Sequence, residues 1–321
     1  MTCFRSILVC ADFSEGSLGA SRVACSLAEE SKTQIFLLHV HEPPMAYGEM
    51  GVPLPLSRMS DTERETLKRE LLETYTPGRP IDVQPIVKEG VVPDEILRAA
   101  DEVRADLIVL GTHGRSGLRR VLAGSVAESV LRRSTAPVLA LHEPMNAPEG
   151  RVRIHTILHP TDLSTRAEGA LQVARGLARD LGARLILLYV EPVDRLLGGP
   201  MSTPAEIRAE KEALLRMRME ADGPDLKCPV ETRFEQGDPA DEICEAAAEV
   251  RADLIVLGCH GRAGLRRLML GSVAESVLRR ATRPVLIVRN RETAVAKVPA
   301  EMGASPSNES SRHNSPGSGL D

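Results

Sequence analysis

The stretch LGTHGRSGLRRVLAGSVAES, residues 110–129, occurs again as LGCHGRAGLRRLMLGSVAES, residues 257–276. Each copy follows the apolar run DLIVLG, which predicts a buried strand, and leads into SVAESVLRR, which has a helical pattern. A glycine-rich segment between a strand and a helix is typical of a phosphate-binding loop, but a tight structural corner has the same composition. The repeated stretch therefore predicts either a ligand site or a corner.

The duplication extends beyond this loop and predicts the fold. Residues 104–141 align with residues 251–288 without a gap, and SILVCADFSEGS near the N-terminus has its counterpart in TILHPTDLSTRA. In both halves short apolar runs alternate with helical patterns, which indicates parallel strands joined by helices on both faces of a sheet. We therefore predict an α/β fold of two tandem doubly wound, Rossmann-like domains, each a five-stranded parallel sheet of order 3-2-1-4-5. The weak strand VQPIVKE contains a proline, which favours a sheet edge.

Length and composition limit the domains and the partners. The chain has 321 residues, and we assign residues 1–146 and 147–290 to the two domains and residues 291–321, rich in Ser, Pro, Gly and Asn, to a disordered tail. Aromatic residues make up 2% of the chain and the formal net charge is −5, so we expect no nucleic-acid partner and no membrane partner. The N-terminal residues have the pattern of a first strand rather than of a signal peptide, which predicts a cytoplasmic protein.

The spacing within the repeated loop favours phosphate binding. The loop contains neither GxxxxGK[ST] nor GxGxxG; instead, G-x-x-G is followed after nine residues by G-S. The G-S pair opens a helix, whose free N–H groups and positive dipole end suit a phosphate. Each loop also carries three arginines and no acid before its last glycine. The predicted phosphate-binding residues are Gly114, Arg115, Gly124 and Ser125 in the first half and Gly261, Arg262, Gly271 and Ser272 in the second.

Several of these residues have an equally ordinary structural interpretation. Ser125 and Ser272 are each followed three residues later by a glutamate, which is the spacing of a capping box that closes a helix without a ligand. Asp12 and Asp162 follow the first strand of each half, where a carboxylate can hold Mg²⁺ beside phosphates or can simply begin a helix. The residues alone leave both interpretations open.

The pattern as a whole resembles the universal stress protein family in its ATP-binding branch. The resemblance rests on G-x2-G-x9-G-[ST] after the fourth strand, an aspartate after the first and a valine ending the second, and it covers residues 4–142 and 152–289. It implies that the valine backbone meets the adenine, that the first loop glycine approaches the ribose, and that the aspartates lie near the ribose and the metal-bound phosphates. These residues are Val40, Val190, Gly111, Gly258, Asp12 and Asp162.

The rest of the predicted nucleotide-binding set consists of His113, Val126, Thr161, His260 and Val273. By residue type alone, His113 and His260 favour packing or backbone bonding. Thr161 belongs to the Pro-Thr-Asp sequence of the second half, whereas the first half has Ala11 at that position, so a side-chain contact from Thr161 has no counterpart there.

The resemblance implies a regulatory protein of the stress response that binds ATP, or AMP or ADP, with Mg²⁺ accompanying the nucleotide at one site per domain. We expect no enzymatic activity, because no residue pattern offers a base to activate water. A slow ATPase and a nucleotide-free scaffold are the alternatives. Family members commonly dimerise through their last strands, here PVLAL and PVLIV, so the two halves are expected to pair internally and whole chains to form a homodimer.

Overall fold

The structure is a computed structural model that describes residues 4–31, 33–43, 45–47, 53–55, 58–76, 81–112, 124–142, 152–193, 204–220, 228–259 and 270–289. The predicted tail lies outside these residues. None of the helices in the described ranges combines the length and the hydropathy that crossing a bilayer requires.

The first half alternates strands and helices as predicted. Its strands are β1 (Ser6–Cys10), β2 (Gln34–His41), β3 (Met45–Tyr47), β4 (Pro53–Pro55), β5 (Val83–Glu89), β6 (Leu107–Gly111) and β7 (Val138–Leu141). Its helices are α1 (Glu15–Ser31), α2 (Asp61–Tyr75), α3 (Val92–Glu102) and α4 (Ser125–Arg133). The short strands β3 and β4 form a separate antiparallel pair that the sequence does not predict.

The second half repeats the order of the main elements. Its strands are β8 (Thr156–Pro160), β9 (Arg184–Glu191), β10 (Val230–Gln236), β11 (Leu254–Gly258) and β12 (Val285–Val288). Its helices are α5 (Glu168–Leu181), α6 (Pro204–Glu220), α7 (Pro239–Glu249) and α8 (Ser272–Arg280). A 3-10 turn, Thr165–Ala167, precedes α5 and has no equivalent before α1.

The ten main strands form one continuous sheet of order β10-β9-β8-β11-β12-β7-β6-β1-β2-β5. Within each half all neighbours are parallel and the order is 3-2-1-4-5, which confirms the predicted fold class. The proline-containing strand β5 lies at an edge of the sheet, as its sequence predicts. The halves join where β12 pairs antiparallel with β7, with Val285 opposite Ala140, so the last strands do pair internally.

Helices cover both faces of this sheet and create two cores. One core lies under α1, α2, α5 and α6, and the other lies under α3, α4, α7 and α8. Ile7 and Leu8 are adjacent in β1, are both fully buried, and belong to different cores. Because the central strands are buried on both faces, their sequences are continuous apolar runs instead of alternating patterns.

Arg289, directly after β12, braces the two halves. Its guanidinium donates to the carbonyl oxygens of Leu131 and Arg132, both at 2.7 Å, in the last turn of α4. A cation at this position satisfies helix carbonyls that have no intrahelical donor and stabilises the negative end of the helix dipole.

We expect Arg289→Ala to lower the free energy of unfolding by about 1–2 kcal/mol, because it removes two charge-assisted hydrogen bonds between the halves. Urea denaturation at neutral pH measures this loss. Arg283→Ala is the matched control, since Arg283 precedes the same strand and makes no hydrogen bond or ion pair with another described residue. Equal stability of the two variants would contradict the bracing role.

Candidate functional site

The carboxyl ends of β1 and β6 border a crevice at which the winding of the chain reverses. The two strands are parallel neighbours. The chain leaves β1 for α1 on one face and reaches α4 on the other face after β6, which is the arrangement at which doubly wound sheets bind ligands. Asp12 and Gly111 lie at this edge, one after each strand. β8 and β11 repeat the arrangement in the second half, with Asp162 and Gly258.

Close backbone packing requires glycine at this edge. A Cβ on Gly111 would lie 2.7 Å from a backbone carbon in the first turn of α1. A Cβ on Gly124 would lie 2.9 Å from the carbonyl oxygen of Thr112, to which the Gly124 N–H donates at 2.8 Å. The N–H of Gly271 makes the equivalent bond to the Cys259 carbonyl at 2.7 Å. In both halves, therefore, the glycine that follows the loop is hydrogen-bonded to the residue directly after the fourth strand.

The alternative interpretation of Ser125 and Ser272 as the caps of capping boxes is wrong. α4 and α8 begin at Ser125 and Ser272, so each serine is the first helical residue and the preceding glycine, Gly124 or Gly271, is the N-cap. Neither helix has a side-chain cap hydrogen bond. The hydrogen bond that holds each glycine at the strand end explains the shift, because it makes the glycine the N-cap, so that the helix begins one residue earlier than a serine cap would require. The first-turn N–H groups remain available at the crevice.

The backbone of Val40 faces the same crevice. β2 continues to His41, although its last residue paired with β1 is Leu38, whose carbonyl accepts from the N–H of Ala11 at 2.8 Å. Successive residues of a parallel strand direct their N–H and C=O groups alternately toward one neighbour and the other. The N–H and C=O of Val40 therefore point toward the side on which β1 has ended. The register of β9 and β8 places Val190 in the same way.

Asp12 closes the turn between β1 and α1. Its Oδ1 accepts from the N–H of Ser14 at 3.0 Å and from the Ser14 hydroxyl at 2.5 Å. The N–H of Phe13 donates to the Tyr75 hydroxyl at 2.7 Å, and that hydroxyl lies 2.7 Å from Oγ of Ser17. The last turn of α2 thus holds the aspartate turn of the first half in place.

Asp162 closes the equivalent turn with different supports. Its Oδ1 accepts from the N–H of Ser164 at 2.9 Å. The N–H of Leu163 donates to Oγ1 of Thr161 at 3.1 Å, and the Leu163 carbonyl accepts from the Arg218 guanidinium at 3.0 Å. The Thr161 hydroxyl therefore holds the backbone N–H that a tyrosine holds in the first half, and a cation of α6 completes the turn.

Both aspartate turns contain a bulky residue in the left-handed region. Phe13 has a φ of 63° and Leu163 has a φ of 61°, a conformation that costs a non-glycine residue about 1–3 kcal/mol and is frequent at binding sites. Arg104 and Arg251, which precede the amino ends of β6 and β11, also have positive φ, so backbone strain by itself does not identify the site.

The sequence analysis did not identify the two residues that support the aspartate turns, or the serine in each turn. Tyr75 and Arg218 lie in segments without a motif, and only the tertiary structure brings them to the aspartate turns. Ser14 and Ser164 had a usable signal, because each lies two residues after the aspartate in a repeated D-x-S pattern.

Cys10, the last residue of β1, has a thiol whose pKa differs from its ordinary value. Burial, and to a smaller extent the charge of Asp12, raise the pKa of its thiol to about 12. The thiol stays protonated at neutral pH and is not a nucleophile. Within the described ranges, no three His, Cys, Asp or Glu side chains are grouped so that they could hold a metal ion.

Two further predicted residues, Val126 and Val273, lie in the first turns of α4 and α8, beside the crevices. The other predicted loop residues lie outside the described part of the chain. They are His113, Gly114, Arg115, His260, Gly261 and Arg262.

Several known proteins are similar to this chain. A universal stress protein of Mycobacterium tuberculosis is 32% identical over 299 residues, which are 86% of this chain and 95% of that protein. The crystal structure of a universal stress protein from Archaeoglobus fulgidus covers 88% of this chain and 98% of its own, with 23% identity and a TM-score of 0.65, which is a similarity of fold. Another universal stress protein, solved in complex with cAMP, covers 43% of this chain and 97% of its own, with 27% identity and a TM-score of 0.34.

The family model gives the assignment. The model of the universal stress protein family matches residues 4–142 and again residues 153–289, so it matches each half separately. These two matches include both crevices and all ten strands of the continuous sheet. The chain belongs to the universal stress protein family, as a tandem of two such domains.

Proposed function

We propose that each half binds one adenine nucleotide, ATP in the first instance, and that the protein acts in the stress response through the occupancy of these two sites. The observation that carries the proposal is the start of α4 and of α8. In both halves a glycine N-cap, held at the end of the fourth strand, presents the first helical turn to the crevice. Free N–H groups and a positive dipole end suit a phosphate at this point.

The edge of the neighbouring strand supports a base beside the phosphates. The N–H and C=O of Val40, and those of Val190, offer one donor and one acceptor at the side of β2 and β9 that β1 and β8 leave uncovered. A base edge with an acceptor next to an amino group, such as that of adenine, complements this pair. The resemblance to the ATP-binding branch of the family favours adenine among the bases that fit.

The aspartate turns fit a magnesium ion that arrives with the nucleotide. Mg²⁺ prefers oxygen ligands and is usually held by one or two carboxylates together with the phosphates of the substrate. In the second half, Asp162 is followed by Ser164, whose hydroxyl oxygen is buried without a hydrogen-bond partner among the described residues. Asp12 and Asp162 would hold the ion, which when bound neutralises part of the phosphate charge.

We propose binding without turnover. Each aspartate closes its own turn through the following serine, and the Cys10 thiol stays protonated, so neither group of this crevice is positioned as a nucleophile or as a base for water. A slow ATPase is the alternative, and the experiment described next tests it as well.

Native mass spectrometry of the full chain after incubation with Mg-ATP tests the proposal. We expect two nucleotides per chain and an increase in the free energy of unfolding of about 2.7 kcal/mol per site when free ATP is 100 times its Kd. Parallel incubations with AMP, cAMP and GTP compare the alternative ligands. A chain that stays empty and whose Tm ignores every nucleotide would refute the proposal, and release of many phosphates per chain would favour the ATPase.

The assembly and the location of the protein are separate proposals. The pairing of β7 with β12 already uses the last strands within one chain. We also propose a homodimer of whole chains, which must use a surface other than these strands, and we propose no nucleic-acid or membrane partner and a cytoplasmic location. The intact mass in the same native spectrum tests the dimer.

A further inference from the structure

The two aspartate turns have the same D-x-S sequence but different hydroxyl geometry. In the first half, the Ser14 hydroxyl donates to Oδ1 of Asp12 at 2.5 Å, in addition to the backbone bond at 3.0 Å. The Ser14 oxygen also accepts from the N–H of Ser17 at 3.2 Å, and a phosphate oxygen that takes up the hydroxyl proton must first break the bond to Asp12.

In the second half the equivalent hydroxyl is not used in this way. Asp162 and Ser164 are joined by one hydrogen bond among the described residues, in which the backbone N–H of Ser164 donates to Oδ1 of Asp162 at 2.9 Å. The Ser164 oxygen is buried and has no hydrogen-bond partner among the described residues. The 3-10 turn that precedes α5 accounts for the difference, because the Ser164 carbonyl accepts from Ala167 and the chain enters the helix later than in the first half.

The charges behind the two turns also differ. In the second half, Arg218 bonds the Leu163 carbonyl and forms an ion pair with Glu168 at 2.6 Å. Arg175, only 4% exposed, donates to the backbone of Arg218 and adds a further cation. In the first half the supporting residue is Tyr75, which is uncharged. Glu168 offsets one of the two cations, so these three side chains leave one net positive charge behind the second turn, which favours an anionic ligand.

We infer that the two sites are unequal: the Ser164 hydroxyl is an additional ligand group for the metal–nucleotide complex, and the second-half site is the tighter one. The inference rests on the proposed function. A buried hydroxyl without a partner is costly, and a phosphate oxygen or a metal ion removes that cost on binding. In the first half the hydroxyl bond to Asp12 must be given up instead.

Calorimetric titration of the full chain with Mg-ATP tests the inference. We expect two binding events whose Kd values differ at least about fivefold, and loss of the tighter event in a Ser272→Glu variant, which disables the second half. Ser164→Ala should weaken the tighter event about five- to thirtyfold and leave the weaker event unchanged. Because it removes an unpartnered hydroxyl, it should leave the Tm of the nucleotide-free protein unchanged or slightly higher.

Ser14→Ala is the matched control in the first half. It should leave the tighter event unchanged and lower the Tm of the nucleotide-free protein, because it removes both the hydrogen bond to Asp12 and the bond that the Ser14 oxygen accepts from the N–H of Ser17. Two equal events in the wild type, or an unchanged tighter event in Ser164→Ala, would overturn the inference while the proposed function stands. A fall in Tm for Ser164→Ala as large as that for Ser14→Ala would overturn it as well. A wild type that binds nothing would instead refute the proposed function itself.

Discussion

The Ser125→Glu/Ser272→Glu double variant is expected to bind neither nucleotide while keeping its fold. Both serines are exposed at the first helical position, where a glutamate suits the positive end of the helix dipole, so α4 and α8 should still form. The same carboxylate would stand where the phosphates are proposed to bind. Two like charges about 4 Å apart repel by roughly 4 kcal/mol near a protein surface, and solvent screening lowers this to about 2–4 kcal/mol.

This repulsion corresponds to a loss of affinity of roughly 30- to 1,000-fold per site. Native mass spectrometry and calorimetry with Mg-ATP measure the loss, and each single variant should retain one nucleotide. The Ser125→Gln/Ser272→Gln variant is the control for side-chain size without charge and should lose much less affinity. If the glutamate variant binds ATP as well as the glutamine variant does, the helix starts are structural corners and not phosphate sites.

Acidification is expected to destabilise the protein through one histidine of the second half. His159 in β8 is fully buried, and its Nδ1 lies 2.8 Å from the carbonyl oxygen of Val256, which identifies Nδ1 as the protonated nitrogen. Burial, with a smaller contribution from the charge of Arg175, lowers the pKa of His159 from 6.5 to about 4, although the bond to Val256 acts in the opposite direction. The folded protein therefore keeps this ring neutral at a pH at which the unfolded chain protonates it.

The sign of the pH dependence follows from this difference. The stabilisation is complete above pH 6.5 and is lost as the pH falls from 6.5 to about 4, because the unfolded chain binds the proton more tightly. The expected loss over this range is about 3 kcal/mol of unfolding free energy. His159→Val, which introduces the residue found at the corresponding place in the first half, Val9, should abolish this part of the pH dependence.

Urea denaturation of both proteins between pH 7.5 and pH 4 measures the effect. At pH 7.5 the variant should be slightly less stable, because it lacks the hydrogen bond to Val256. Toward pH 4 the order of stability should reverse, because only the wild type loses stability through His159. Carboxylates titrate in both proteins, so their contribution cancels in the difference. Parallel stability curves for the wild type and His159→Val would contradict the assignment to His159.

Much of the fold follows from local sequence patterns. Apolar runs alternating with helical patterns predict β1, β2, β6 and their second-half equivalents, because strands buried on both faces need continuous apolar side chains wherever they lie in the chain. The same patterns place Asp12 and Gly111 at neighbouring strand ends. The proline of β5 identifies an edge strand, because it removes a backbone donor.

Contacts between residues distant in the chain decided the rest, and local patterns do not contain them. Ser125 has the spacing of a helix cap, yet the bond from Gly124 to Thr112 makes it the first helical residue. Ser14 and Ser164 occupy identical motifs, but a 3-10 turn follows only Ser164, and Tyr75 supports one aspartate turn whereas Arg218 supports the other. Short repeated stretches thus predict the candidate site in both halves. The difference between the two copies depends on tertiary structure, because the chain enters α5 through a 3-10 turn and because different helices pack against the two aspartate turns.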